Sequence, residues 1–330
     1  MSSKNNPILK SSKIRVALTI GDPSGIGPAI TLKALKILKN KADFTVIGDK
    51  FVLTKAAKIL KIATLSAKLI DLNNVNEKEF KFGKPNAHSG KAALEYLDTA
   101  LELLKGNKID CLVTGPISKE AVNLSGVKFT GHTEYLAKNT HSGNLVMMLL
   151  NDRLKFSLVT RHIALKEVCA HFTRKELENN ILDTIKGLRC LFSIERPRLV
   201  VCGVNPHASD NGVIGTEEQK VIIPVIKNLR KKYKDATITG PLPADTAISQ
   251  AAKGKFDCVI AAYHDQALIP LKLTDFDSGV NLTLGLPFVR TSALHGTAFD
   301  IAQFPVLANP RSLVSAIELA IQCTLNQKRA

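Results

Sequence analysis

Three histidines in this 330-residue chain each stand just past a short apolar run rich in β-branched residues. The runs are KFSLVTRH (155–162), RLVVCGVNPH (198–207) and FDCVIAAYHD (256–265), which carry His162, His207 and His264. Each has the length and composition of a buried strand, broken by Gly, Pro or a polar cluster. Ligands of open α/β sheets bind outside the carboxyl ends of the strands, so three strand-end imidazoles can converge on one site. Neutral imidazoles gathered in a cleft most often hold a divalent metal. Spacing alone leaves a second reading open, three unrelated loop histidines. Asp265, next to His264, offers a carboxylate either to the metal or to the ring.

A second set could bind an anion. Lys272 and Arg290 flank GVNLTLGLP (279–287), which contains Asn281. A cation pair with an amide donor is what a phosphate or carboxylate requires, whereas two solvated loop cations are the plain alternative. GHTEYLA (131–137) sets His132 and Thr133 beside Glu134 at a helix start, and GPLPADT (240–246) puts Asp245 in a Pro-rich loop ahead of a helical segment. Capping is the default role there. GDPSGIGPA (21–29) follows a predicted strand and opens a helix. Its glycines suit either close approach to a ligand or a tight strand-to-helix turn. It is neither GxGxxG nor a P-loop. No GxSxG elbow occurs, and no Ser or Cys has a nucleophile's surroundings, so covalent catalysis is unsupported.

These residues need a frame, and strand-like and helix-like stretches alternate from end to end. Besides the three histidine runs, strands are predicted over 14–22, 43–49, 109–116 and 145–150. Helices are predicted over 28–39, 51–62, 90–106, 174–192, 216–233 and 311–327. This alternation argues an α/β architecture on a mostly parallel sheet. No repeat or low-complexity linker interrupts it, so any domain boundary is a chain crossover.

Composition narrows the partners. A hydrophobic share of 45% supports a sizeable core and excludes a disordered chain. No apolar run approaches the ~20 residues of a membrane-spanning helix, and the basic MSSKNNPILKSSK start has no secretory core. A cytoplasmic protein with no membrane partner is expected. The six cysteines are scattered without a CxxC pair, as in a reducing compartment. The net charge of +16 makes nucleic acid the first partner to weigh. Lysines are spread along the whole chain, Trp is absent and no nucleic-acid-binding motif occurs, so nucleic acid is not expected.

Several blocks occur in order: GDPSGIGP, VTGPISK, FTGHTEYLA, TRH at 160–162, GVNPHA with GTEE, GPLPADT, and AYHDQALIPLK leading into GVNLTLGLPFVRTS and HGTAFDIA. In this order, over about Ile14 to Ala302, they resemble the 4-hydroxythreonine-4-phosphate dehydrogenase family of vitamin B6 biosynthesis. The resemblance implies the fold of isocitrate and isopropylmalate dehydrogenases, with two α/β/α domains on a mostly parallel sheet and the active-site cleft between them. The first domain would comprise 1–134 with 286–330, the second 135–285, in a homodimer with shared sites.

By residue, the resemblance implies His162, His207 and His264 as ligands of one divalent metal (zinc, magnesium, cobalt or manganese), one of them from the partner subunit. It implies His132, Thr133, Lys272, Asn281 and Arg290 as substrate contacts, and Asp245 and Asp265 as the catalytic carboxylates. His295, Gly296, Thr297 and Asp300, in HGTAFDIA, would contact NAD or NADP. The implied reaction oxidises 4-phosphooxy-L-threonine to 2-amino-3-oxo-4-phosphooxybutanoate, which loses CO₂ to give 3-amino-2-oxopropyl phosphate, a step toward pyridoxine 5'-phosphate. A same-family enzyme acting on erythronate or threonate 4-phosphate would share every block, and a three-histidine zinc hydrolase would share only the metal site. Ala29, where the related motif usually has glutamate, Leu294, where an acid commonly precedes His-Gly, and the bulky Arg161 depart from the family pattern.

Overall fold

The computed structural model describes residues 13–63 and 67–329; the basic stretch read at the start of the chain lies, through residue 12, outside the described residues. Eleven strands form one sheet: β1 (Arg15–Thr19), β2 (Asp43–Gly48), β3 (Lys68–Asp71), β4 (Cys111–Thr114), β5 (Val146–Leu150), β6 (Lys155–Leu158), β7 (Arg198–Cys202), β8 (Thr237–Leu242), β9 (Cys258–Ala261), β10 (Val280–Leu284) and β11 (Val289–Ala293). Their spatial order is β3-β2-β1-β4-β11-β10-β5-β6-β9-β7-β8. Helices α1 (Gly27–Ile37), α2 (Lys50–Leu60), α3 (Ala87–Lys105), α4 (Lys119–Leu124), α5 (His132–Thr140), α6 (Val168–His171), α7 (Arg174–Phe192), α8 (Ile223–Lys232), α9 (Ala244–Ala252), α10 (His264–Thr274), α11 (Phe299–Ala302) and α12 (Arg311–Arg329) complete the α/β architecture. No described helix is long and apolar enough to cross a membrane.

Direction matters more than order here. Strands β3, β2, β1, β4 and β11 are mutually parallel, and so are β6, β9, β7 and β8. Between them β10 and β5 pair antiparallel to their neighbours, so the two parallel groups point opposite ways. The sheet therefore has no single carboxyl edge. Within the second group, however, the three histidine-bearing strands are adjacent, β6-β9-β7, and end at one edge.

Burial explains why these segments read as strands. All of β4 (CLVT), β5 (VMMLL) and β9 (CVIA) is buried, the unbroken apolar pattern of sheet covered on both faces. Two elements differ from expectation. The segment 279–287 is the β10–β11 hairpin rather than a loop, because Val280, Leu282 and Leu284 alternate into the core. The GPLPADT stretch is not a loop throughout: β8 runs to Leu242, with a cis Gly240–Pro241 bond. Strand β3, unpredicted, is a four-residue edge strand with no fully buried residue, too short and too exposed to leave a pattern.

Candidate active site

Side chains alternate across a strand, so Met147 and Leu149 of β5, Asn281 of β10, and Arg290 and Ser292 of β11 share one face of the central strands. They floor a cleft of about 280 Å³. Its walls are Gly115 to Lys119 after β4, His132 to Glu134 at the start of α5, His162 after β6, His264 at the start of α10, and Leu294 to Gly296 after β11. The site thus lies where the two oppositely directed halves of the sheet meet.

Arg290 dominates the floor. It is 1% exposed, and its guanidinium donates to Thr283 Oγ1 at 3.1 Å and Thr114 Oγ1 at 2.6 Å. Nε has no protein partner. Burial brings the group down to about 10, against the opposing pull of Glu134, so it stays cationic at neutral pH. A buried charge with no carboxylate partner is costly unless an anion joins it.

Its neighbours are orphaned in the same way. His132 is held neutral by burial first and by the charge of Arg290 second, and its Nε2 lacks a partner. Asn281 Oδ1 and His295 Nε2 also lack one. Buried polar atoms are rarely left unpaired, so three such side chains around one buried cation make this cleft the candidate ligand site.

Opposite stands an imidazole pair. The His162 and His264 rings are 5.7 Å apart, centroid to centroid. Burial and then the Lys119 charge push His162 toward its neutral form, against Glu134. His264 Nδ1 meets Asp265 Oδ1 at 2.6 Å, which leaves Nε2 as the available nitrogen.

Other expected residues stand apart. His207 is exposed on the loop after β7, and no group of three His, Cys, Asp or Glu side chains closes on a metal-sized point among the described residues. Lys272 is exposed in the last turn of α10, its Nζ over the Phe276 ring at 5.2 Å. Asp245 is exposed in the first turn of α9 and does not cap it; the N-cap is Pro243, and Asp245 Oδ1 accepts from its neighbour Thr246 N. Thr133 is buried in the cleft wall. His295 and Gly296 reach the cleft, whereas Thr297 and Asp300 lie beyond its lining.

The carbonyl of Thr297 accepts from Ile26 N at 2.9 Å, and a Cβ on Gly25 would stand 2.9 Å from it. A Cβ on Gly27 would stand 1.9 Å from Ile20 O. Gly25 thus lets the GDPSGIGP turn pack on the HGTAFDIA loop, and Gly27 lets the start of α1 pack on the end of the preceding strand. Lys119, Thr114 and Thr283 were not foreseen as site residues. A cation just past a strand-ending Gly-Pro was the available signal for Lys119; nothing local marks the two threonines.

Asp22, in the same turn, is fully buried; Oδ1 accepts from Ser24 N at 2.9 Å and Oδ2 has no partner. Burial pushes its carboxyl up to about 7 from 3.8, with the Ser24 hydrogen bond opposing. The folded state therefore holds an extra proton between these values, and the associated stability, present below about pH 4, is lost as pH rises to 7. Integrated, that is up to about 4 kcal/mol. Asp22→Asn is expected to remove this slope, so its Tm relative to wild type should rise between pH 5 and pH 8. A Tm difference that stays constant over that range would refute the assignment.

Fold and cleft together define an α/β protein with a small cleft over a buried guanidinium, bordered by paired imidazoles. Comparison with known proteins names the family. Residues 40–320 match the family described as pyridoxal phosphate biosynthetic protein PdxA, and the chain belongs to it. A 4-hydroxythreonine-4-phosphate dehydrogenase of a Sulfurihydrogenibium species is 40% identical over 319 residues, covering 93% of this chain and 98% of its own. A D-threonate 4-phosphate dehydrogenase of Pectobacterium atrosepticum is 38% identical over 328 residues, covering 94% and 99%. Among solved structures, 4-hydroxythreonine-4-phosphate dehydrogenase of Klebsiella pneumoniae superposes with a TM-score of 0.83 at 36% identity, over 95% of this chain and 100% of that one.

Proposed function

We propose that this chain oxidises 4-phosphooxy-L-threonine with NAD or NADP, assisted by a divalent metal. The observation that carries the reading is Arg290, a buried guanidinium fixed by two threonine hydroxyls and left without a carboxylate, facing the His162–His264 pair across a small cleft. Arg290, with Asn281, His132 and Thr133, would hold one anionic end of the substrate and set its carbinol carbon toward the imidazoles. Two neighbouring imidazoles, one oriented by a carboxylate, fit two ligands of a divalent metal. Such an ion would supply positive charge beside the reacting oxygen. The nicotinamide cofactor would take the hydride, its other end held along His295, Gly296, Thr297 and Asp300. Loss of CO₂ from the resulting β-keto acid needs no further residue, since the ketone is the electron sink.

The third ligand would be His207 from the partner subunit of a homodimer. Helix α10, which begins at His264, and the turn after it leave Ile269, Leu273 and Phe276 exposed at 64%, 87% and 69%, apolar surface suited to burial against a second copy. Across that interface Lys272 would reach the partner's substrate, and Asp245 and Asp265 would serve proton transfer. The two halves of the sheet would act as two α/β units, 1–134 with 286–330 and 135–285, closing on the ligand.

A second substrate is favoured by a specific relative, since a protein 38% identical to this chain is named a D-threonate 4-phosphate dehydrogenase. Reduced-cofactor formation from 4-phosphooxy-L-threonine, D-threonate 4-phosphate and erythronate 4-phosphate, each with and without chelator, separates the readings. The expected result is the highest kcat/KM with 4-phosphooxy-L-threonine, abolished by chelator and restored by a divalent ion. Turnover without cofactor would instead indicate a metal hydrolase.

Sharing of the site has its own test. Mixing inactive His162→Ala and His207→Ala chains, then dissociating and reassociating them, should restore about a quarter of wild-type activity. Half the random dimers are mixed, and each mixed dimer has one intact site. If both histidines served a site from the same chain, verified mixed dimers would show no recovery.

A further inference from the structure

The loop bearing His207 is built unlike any other among the described residues. From His207 to Asn211 five consecutive non-glycine residues hold positive φ, at 54°, 51°, 70°, 44° and 56°, and Gly212 follows at 96°. L-residues visit this left-handed region singly and do not form runs there, because Cβ crowds the following carbonyl. Such a turn persists only when its surroundings over-determine it.

The side-chain hydrogen bonds to Val204, Asn205 and Ser209 all come from one place, the π-helical turn Glu218–Ile222 and its approach. Glu218 is 0% exposed. Its Oε1 accepts from the backbone of Val204 at 2.8 Å and Asn205 at 2.9 Å, and its Oε2 accepts from Asn205 Nδ2 at 3.0 Å. Glu217 Oε2 accepts from the same amide at 2.7 Å. Gln219 exchanges hydrogen bonds with the buried Ser209 hydroxyl, at 2.9 and 3.1 Å. Three consecutive side chains thus grip the approach to the turn and its middle. No Lys or Arg pairs with Glu218 among the described residues, so the loop's own donors are what its carboxylate binds.

The grip reaches the other half of the imidazole system. The Gly203 carbonyl accepts from Gln266 Nε2 at 3.0 Å, and Gln266 Oε1 accepts from Ala262 N at 2.7 Å. Gln266 lies two residues after His264 on α10. A Cβ on Gly203 would stand 2.8 Å from Ala208 Cα and 3.2 Å from Glu218 Oε1, so the loop closes directly over the carboxylate. What this clamped turn presents outward is the exposed His207, with Val213 at 81% exposure just past the turn.

The geometry points to Glu218 as the positioning residue for His207: by binding the Val204 and Asn205 amides it holds the left-handed turn that offers this imidazole to the metal. The role rests on the reading of His207 as a ligand. Glu218 touches neither substrate nor metal, and acts only by fixing the direction in which His207 points. Rigid presentation is what a ligand supplied to another subunit requires, since no contact within its own site can orient it.

The test uses full-length wild type, His207→Ala and Glu218→Gln, each titrated with Co²⁺ by its visible absorption, with hydrogen exchange followed over 204–213. Gln keeps the shape of Glu but turns an amide donor toward the Asn205 amide. Loss of such an outer partner weakens metal binding about tenfold to a hundredfold. Glu218→Gln is expected to raise the Co²⁺ Kd by that factor, to alter the absorption band and to speed exchange across 204–213, with kcat at saturating Co²⁺ returning toward wild type. His207→Ala should weaken Co²⁺ more and leave exchange over 204–206 unchanged. Wild-type Co²⁺ affinity in Glu218→Gln, when His207→Ala has lost it, would overturn the positioning role alone. Wild-type affinity in His207→Ala would overturn the ligand reading itself. Should Glu218→Gln fail to fold, Asn205→Ala removes the shared amide but keeps both backbone donors, and should shift Kd and exchange the same way by less; no shift would overturn the proposal.

Discussion

His264→Ala is expected to lower kcat at least about a thousandfold while the protein keeps its fold. The side chain is 35% exposed and its partner Asp265 is 68% exposed, so removing the ring forfeits little packing and strands no buried charge. Helix α10 does not depend on the imidazole for initiation, since it begins after Tyr263 without any side-chain cap. On the proposed function the loss falls instead on the metal that His264 would hold. Charge supplied at a reacting oxygen is worth several kcal/mol, and about 4 kcal/mol corresponds to roughly three orders of magnitude in rate. Metal content by elemental analysis, kcat, and circular dichroism check the three parts of this expectation. Added Co²⁺ should rescue chelated wild type but not the variant. Full metal occupancy with near-normal turnover would remove His264 from the ligand set.

The site was legible in the sequence to the extent that strands announce their own ends. The runs ending near His162, His207 and His264 are β6, β7 and β9, which lie side by side and parallel. Their apolar patterning located them because both faces of that part of the sheet are covered. Direction was not legible, since no local pattern says that β6 runs against β4; that depends on the antiparallel β10 and β5 between the two groups.

The same limit hid the nature of Arg290. From the sequence it reads as half of an anion-binding cation pair or as a solvated loop cation, and only the pairing of Thr283 with Arg290 across the hairpin, and of β11 with β4, shows that it is buried against two hydroxyls. The left-handed turn at His207 was equally hidden. Ala208 and Ser209 in its middle have no preference for that conformation, and Glu218 holds the turn from further along the chain. Long-range partners decided each of these points. Helix α7 was placed at its observed bounds by apolar spacing alone, whereas α3, expected from 90, begins at Ala87 behind an Asn86 cap whose side chain accepts from Ser89 N.

Arg290 yields the other large effect, and two substitutions are needed to read it. Arg290→Ala should raise KM for the phosphorylated substrate about tenfold to a hundredfold, as about 1.5–3 kcal/mol of charge-assisted hydrogen bonding is lost. It also leaves the Thr114 and Thr283 hydroxyls unpaired and opens a cavity, so a fall in Tm is expected too. Arg290→Lys resolves the ambiguity by keeping the charge and most of the volume while losing the planar fork. It should keep Tm close to wild type and still raise the substrate KM about tenfold. KM for the nicotinamide cofactor should hold in both variants, because Arg290 sits on the floor of the cleft and the HGTAFDIA loop reaches it only at His295 and Gly296. Inorganic phosphate gives an independent reading: it should compete with substrate in wild type and lose that competition in both variants. A KM defect confined to the cofactor, or phosphate inhibition that survives in Arg290→Ala, would place the substrate's anion elsewhere and leave the buried guanidinium with a structural role alone.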